Sequence, residues 1–258
     1  MERLTTHNET PAGISGNMLR TFGLVFLACG LIGRGVLQNH LLGLTQLDAE
    51  ALLELLNASQ QNMILVTVSL VLQAMETCAA PIYALLLVNG VKHTGNIGKY
   101  MMRVAALALV TELPYSLAVK GSLTAPGLNP VFATLLALIL LYLFTRFPGK
   151  SFKAVAVKVV LTLAGIVWGR MLSIEAGSAM VVLVASLWML REKPLYRNFS
   201  AAVGCVLCTV FSPFFLAAPM GLLAVHFYNA EESDNSPWVN YLAYPALVVL
   251  TAAAGFVL

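Results

Sequence analysis

Apolar runs recur along almost the whole chain, separated by short polar connections. A membrane-spanning helix needs about 20 predominantly apolar residues. Runs that meet or approach that length cover 18–42, 62–88, 99–119, 129–147, 152–172, 175–190, 199–228 and 238–258. They predict an all-α fold: a polytopic integral membrane helical bundle of about eight transmembrane helices. It forms a single domain over 1–258, with a polar N-terminal tail at 1–17. Local signals refine the pattern. Pro81 predicts a bend in the second run. Asn129-Pro130 opens the fourth, with proline in the first turn where it is tolerated, and Pro148-Gly149 closes it. The stretch 199–228 is too long for one straight span and holds Pro213 and Pro219. It reads as one bent or broken helix, with two shorter segments as the alternative. Between the first two runs, DAEALLELLNAS has leucines at helical spacing behind Asp48, which predicts a short interfacial helix capped by that aspartate.

Composition agrees with the pattern. Charged residues make up 10% of the chain and hydrophobic ones 59%, whereas soluble domains carry about 25% charged residues. The formal net charge of +3 is small, and no basic patch interleaved with aromatics suggests nucleic acid. The polar tail leads into the first run without a small-residue cleavage pattern, so that run reads as a retained span. The four cysteines lie in apolar runs. Cys205 and Cys208 form CVLC without turn residues or further ligands, and read as packing residues. No two histidines share metal-ligand spacing, so no metal is expected.

The distribution of charge says more than its sum. Alternate connections are basic: Lys92 and Lys99 with Arg103 close by; Arg146, Lys150 and Lys153; Arg191, Lys193 and Arg197. The intervening ones carry no basic residue, Lys120 alone, Arg170 alone, or the acidic NAEESDNSP. By the positive-inside rule the basic connections and both termini are cytoplasmic. On this topology His226 falls at the outer end of the seventh run, as a hydrogen-bonded interfacial histidine.

Several ionisable residues stand inside apolar runs, and such residues mark functional sites by default. Counting depth at about 1.5 Å per residue puts Arg34 level with Glu112, and Glu76 near Arg103. The expected pairs are therefore Arg34 with Glu112, and Glu76 with Arg103. Either they are static ion pairs holding helices in register, or they line a polar cavity for an acyl donor, an acceptor or an ion. The polar connection 89–99 adds Lys92, His93, Asn96 and Lys99 as candidate anion contacts.

The stretch PIYALLLVNGVKHTGNIGKYMMRVAALALVTELPYSL resembles the central signature of the TraX family, membrane proteins named from conjugative plasmids. The matching positions are Pro81, Gly90, His93, Thr94, Asn96, Lys99, Tyr100, Arg103, Glu112 and Pro114. Further similarity falls at Asn129 and Thr134, Glu175 and Gly177, Tyr228, Asn229 and Glu231, and Tyr244 with Pro245. The resemblance adds Asn129, Glu175, Asn229 and Glu231 to the candidate polar cavity. It implies a bacterial cytoplasmic (inner) membrane location and acyltransferase-like chemistry. An acetyl group would pass from acetyl-CoA to an amine or hydroxyl of a membrane-associated, pilin-like acceptor, with the basic connections holding the nucleotide part of CoA. The family pattern also places Asp-His in the first span and Tyr-Pro-x-His near the end. Here those places hold Gly30-Leu31 and Tyr244-Pro245-Ala246-Leu247. Leucine takes no proton, so the resemblance carries over no catalytic residue. The alternative from another class is a non-catalytic membrane subunit or carrier built from the same helices.

Overall fold

A computed structural model describes residues 13–149, 151–191, 193–228 and 237–255. Among the described residues there is no strand, only two isolated bridges, Ile14 with Tyr228 and Leu128 with Ile174. Helix α1 (Gly16–Leu31) starts behind Ser15, whose hydroxyl accepts from the Met18 N–H, and continues into a π-helical segment, Ile32–Leu41. The short α2 (Ala49–Ala58) carries the expected cap, the Asp48 carboxylate accepting from the Ala51 N–H at 2.8 Å. Helices α3 (Gln60–Thr77) and α4 (Ala79–His93) follow. The break between them is at Cys78, three residues before the expected bend at Pro81. A proline ring collides with the carbonyl four residues earlier, here that of Thr77. Helix α5 (Ile97–Tyr115) contains Pro114 and runs into a second π-helical segment, Ser116–Lys120.

Helices α6 (Pro130–Arg146), α7 (Phe152–Met171) and α8 (Gly177–Met189) complete the middle of the chain. Nearly every residue of α8 is buried, because α4, α6, α7 and α9 (Pro194–Leu207) surround it. An apolar helix without a polar face belongs at such a centre. Helix α6 starts inside the bundle, where the Asn129 amide donates to the Ala108 carbonyl at 2.8 Å.

Among the described residues, four helical stretches are long and apolar enough to cross a membrane by length and composition: Gly16–Leu41, Gln60–His93, Ile97–Lys120 and Phe152–Met171. Pro130–Arg146, Gly177–Met189, Leu195–Val210, Pro213–His226 and Leu242–Ala254 are apolar but shorter. Four stretches of spanning length thus stand where about eight transmembrane helices were expected. Helix α6 starts at depth, and the long seventh run is broken.

That broken run is a hairpin. After α9 the chain passes through three 3-10 turns, Cys208–Val210, Pro213–Leu216 and Ala218–Met220, then returns as α10 (Gly221–His226). Its tip docks on the α3–α4 break: the Thr77 hydroxyl donates to the Phe214 carbonyl at 3.0 Å, and the Cys78 thiol to Ala217 at 3.3 Å. Gly221 lies so close to the Cys78 carbonyl that a Cβ would stand 2.1 Å from its oxygen. The arms close on each other where Asn198 meets His226 at 3.3 Å. Irregular backbone of this kind is tolerated at membrane depth when buried in protein.

The hairpin corrects the expected topology. Its ends lie on one side, so His226 sits at the end where α9 starts and not at the far end. The Ile14 N–H donates to the Phe227 carbonyl at 2.7 Å, which puts the start of α1 there too. Helix α11 (Pro237–Ala254) instead finishes beside the other end of the first helical stretch, where His40 meets the Thr251 carbonyl at 3.2 Å. Ile14 and Gly255 thus lie at opposite ends of the bundle, not on one side. The basic connections do gather: Lys92 is within electrostatic reach of Arg191 and Arg197. We call this the basic end.

Two predictions follow from this arrangement. In intact cells an impermeant thiol reagent labels S122C and spares K193C, which reacts only after permeabilisation, and a reporter fused after Leu258 sides with S122C. Gly221→Ala forces the hairpin tip off the Cys78 carbonyl and lowers stability by about 1–3 kcal/mol, measured by thermal unfolding in detergent.

Candidate functional site

Arg34 stands in the π-helical segment and reaches two carboxylates. Its Nη2 donates to Glu76 Oε1 and Oε2 at 2.5 and 2.6 Å, and its Nη1 pairs with Glu175 Oε1. The Tyr115 hydroxyl donates to the other Glu175 oxygen. Side-chain exposures are 16% for Arg34, 15% for Glu76 and 31% for Glu175. Space for Glu76 comes from Gly30, where a Cβ would overlap that carboxylate at 2.0 Å. One guanidinium thus faces two carboxylates, and the cluster carries one negative charge in excess when all three are ionised.

Glu175 arrives differently from its partners. It sits in the turn between α7 and α8, flanked by two non-glycine residues with positive φ, Ser173 at 49° and Ala176 at 54°. Such conformations cost of order 1–3 kcal/mol each and persist where the surroundings enforce them. Here they turn the chain so that a carboxylate points back into the bundle.

The cluster stands at one end of an elongated cavity of about 740 Å³. Leu24, Leu27, Leu87, Val104 and Leu107 form its walls, with the hydroxyls of Tyr83 and Ser212 among them. The hairpin tip contributes Phe211 and Phe215, and α11 contributes Tyr244. At the other end are Arg20, Gly90 and Tyr100. From the level of Arg20 to that of Arg34 the cavity runs roughly 20 Å along the first helical stretch. The exposed Arg170 stands at the rim near Glu175.

Both expected ion pairs are corrected. Glu112 bonds to Lys120 at 2.9 Å and not to Arg34. Glu76 bonds to Arg34 and not to Arg103, which is exposed on α5. Counting residues fixes depth along an axis but not which helices are neighbours. Lys120 was hidden for a second reason: eight residues fall about 80° apart around a regular α-helix. The wider π-helical turn from Ser116 closes that gap.

The structure therefore brings together Arg34, Glu76 and Glu175. Glu112 and Asn129 form a separate polar group, the Asn129 backbone and side-chain N–H groups both donating to Glu112 Oε2 at 2.8 and 2.9 Å. Asn229 and Glu231 lie outside the described residues. Lys92, His93, Asn96 and Lys99 are exposed at the basic end. Asn96 is occupied there as the α5 cap, accepting from the Lys99 N–H at 2.9 Å, and the His93 ring bonds to its own helix at Asn89. Sequence reasoning missed Tyr115, Arg20, Tyr83 and Lys120 as site residues. Tyr115 follows the Pro114 of the signature, but no spacing rule singles it out.

Leu31 and Leu247, which the resemblance sets opposite the family pattern's histidines, line a second, small hollow between α1 and α11, of about 200 Å³. Leu31 is buried at 2% exposure. The charged cluster and this apolar hollow are different places.

The family model described as TraX protein matches residues 47–254. No curated protein and no solved structure matches the chain.

Charge exchange tests the pairing. Arg34→Met strands two buried carboxylates and costs about 3–5 kcal/mol. R34E/E76R recovers part of the thermal midpoint lost by R34E, and R34E/E112R recovers none.

Proposed function

Since the chain belongs to the TraX family over residues 47–254, we propose that it transfers an acetyl group to an amine or hydroxyl of a membrane-associated acceptor at the Arg34–Glu76–Glu175 cluster. One observation carries this reading: a single cavity joins a buried, carboxylate-rich cluster to Arg20 near the basic end. Its length and narrow apolar walls suit an extended chain, and Tyr83, Tyr100 and Ser212 offer hydroxyls to polar groups along it. Acetyl-CoA would supply a thioester, with its phosphates held by Lys92, Arg191 and Arg197. The chain's own residues do the rest. The carboxylate in excess over Arg34 takes the proton that the acceptor nitrogen or oxygen loses as it attacks the thioester carbon, and returns it to the CoA sulfur as the C–S bond breaks and the thiol leaves. The guanidinium holds that carboxylate in place and offsets developing negative charge. Apolar walls keep water from competing for the acyl group. We place the protein in a bacterial cytoplasmic membrane, the basic end facing the cytoplasm, and a pilin-like acceptor approaches from the Arg170 rim.

A second reading, a non-catalytic subunit or carrier, draws on Leu31 and Leu247. Both former histidine places face an apolar hollow, so any chemistry here rests on carboxylates alone.

Labelled acetyl-CoA and a primary-amine peptide separate the two with purified protein. Acyl transfer is expected, falling about 100- to 10,000-fold in E175Q or E76Q, the range of a lost general base, while CoA binding persists. Binding without transfer supports the carrier. Absence of both overturns the acyl-transfer reading.

A further inference from the structure

We infer that Glu112 and Lys120 are positioning residues for Glu175, acting through two paired loops at the end of the bundle away from the basic end. The chain of contacts is continuous. Glu112 accepts four hydrogen bonds: from the Ser116 hydroxyl and Lys120 on Oε1, and from the backbone and side chain of Asn129 on Oε2. Lys120 also donates to the Gly127 carbonyl at 2.7 Å. The two ionic groups thus grip residues 127 and 129 from one side. Between those residues Leu128 is paired with the turn that carries Glu175. Its N–H donates to the Ser173 carbonyl at 3.1 Å, and its carbonyl accepts from the Glu175 N–H at 3.0 Å. Gly127 makes the approach with φ at 102°, and even a Cβ there would come within 3.1 Å of the Ser173 oxygen. A second route is shorter: the Lys120 ammonium lies 5.8 Å from the centre of the Tyr115 ring, and Tyr115 donates to Glu175.

The arrangement explains three facts together. Glu112 and Lys120 are mostly buried, at 22% and 14% exposure, yet touch neither Arg34 nor Glu76. Glu175 is the one cluster member carried by a turn, while Arg34 and Glu76 sit on helical segments. That turn keeps two strained residues, Ser173 and Ala176, which need outside contacts to hold them. With the Glu112–Lys120 grip broken, the turn loses its pairing with Leu128 and relaxes, and Glu175 leaves Arg34. The Arg34–Glu76 contact depends on neither loop and stays.

The inference stands on geometry alone and survives if acyl transfer is never found, because its test needs no substrate. The full chain in native membrane vesicles is treated with a water-soluble carbodiimide and an amine, and the labelling rates of Glu175 and Glu76 are followed by peptide mass spectrometry. In E112Q and in K120M, Glu175 labelling rises about five-fold or more, the effect of weakening one local contact by a single modest interaction. Glu76 labelling changes less than two-fold, a bound on the same scale. A disulfide across the bridge pair, L128C/I174C, returns Glu175 labelling in E112Q to the parent rate. Unchanged Glu175 labelling overturns the proposal. So does a parallel rise at Glu76, which shows general loosening and not release of one turn, and so does failure of the disulfide to restore protection.

Discussion

A buried guanidinium shared between two carboxylates sets the terms for the rest of this bundle. Arg34 cannot lose its charge in a protein, and leaving a charge unpaired in an apolar interior costs several kcal/mol. The fold is arranged to bring it partners from both sides. Glu76 comes from α3 and needs Gly30 to be without a side chain. Glu175 comes from a turn held in strained backbone by residues 127–129. The break at Cys78 lies two residues beyond Glu76, and the hairpin tip closes against it. Contacts that look like separate packing details therefore converge on one electrostatic requirement.

The same requirement gives the cavity its character. Along most of its length the walls are leucine, valine and phenylalanine, and only the end near Arg34 carries charge in quantity. Low-polarity walls strengthen the electrostatic interactions at its charged end. An excess carboxylate at such a place favours binding a cationic group. In this the cluster differs from a simple pair of opposite charges.

Much of the fold was legible in the sequence, and the failures have identifiable causes. The apolar runs gave the helices, Asp48 and Asn129 gave helix starts, and Pro213 and Pro219 announced a broken run. Arg34, Glu76 and Glu175 were all singled out as candidates, the first two as charges in lipid and the third through the family likeness. Their pairing was not legible. Depth along a helix follows from counting, but helix neighbours depend on long-range packing that a hydropathy pattern does not encode. The π-helical segments at Ile32–Leu41 and Ser116–Lys120 shift the facing of every residue in them, so Lys120 could not be assigned to Glu112 from a regular period. Topology failed at the hairpin for a related reason. Loop charges and apolar length describe a broken span and a returning one in the same way, and only the docking of Phe214 and Ala217 on the α3–α4 break separates them.

The late position of that hairpin in the chain bears on biogenesis. During synthesis its docking surface, the junction at Cys78, emerges more than a hundred residues before the tip that covers it. Until α9 and α10 fold back, the wall holding Phe211 and Phe215 is absent, and Tyr244 is added only with α11. The cavity walls are therefore complete only once the last helices have been made. Assembly order thus sets when the cavity exists: an incomplete chain has helices and ion pairs, but lacks part of the wall.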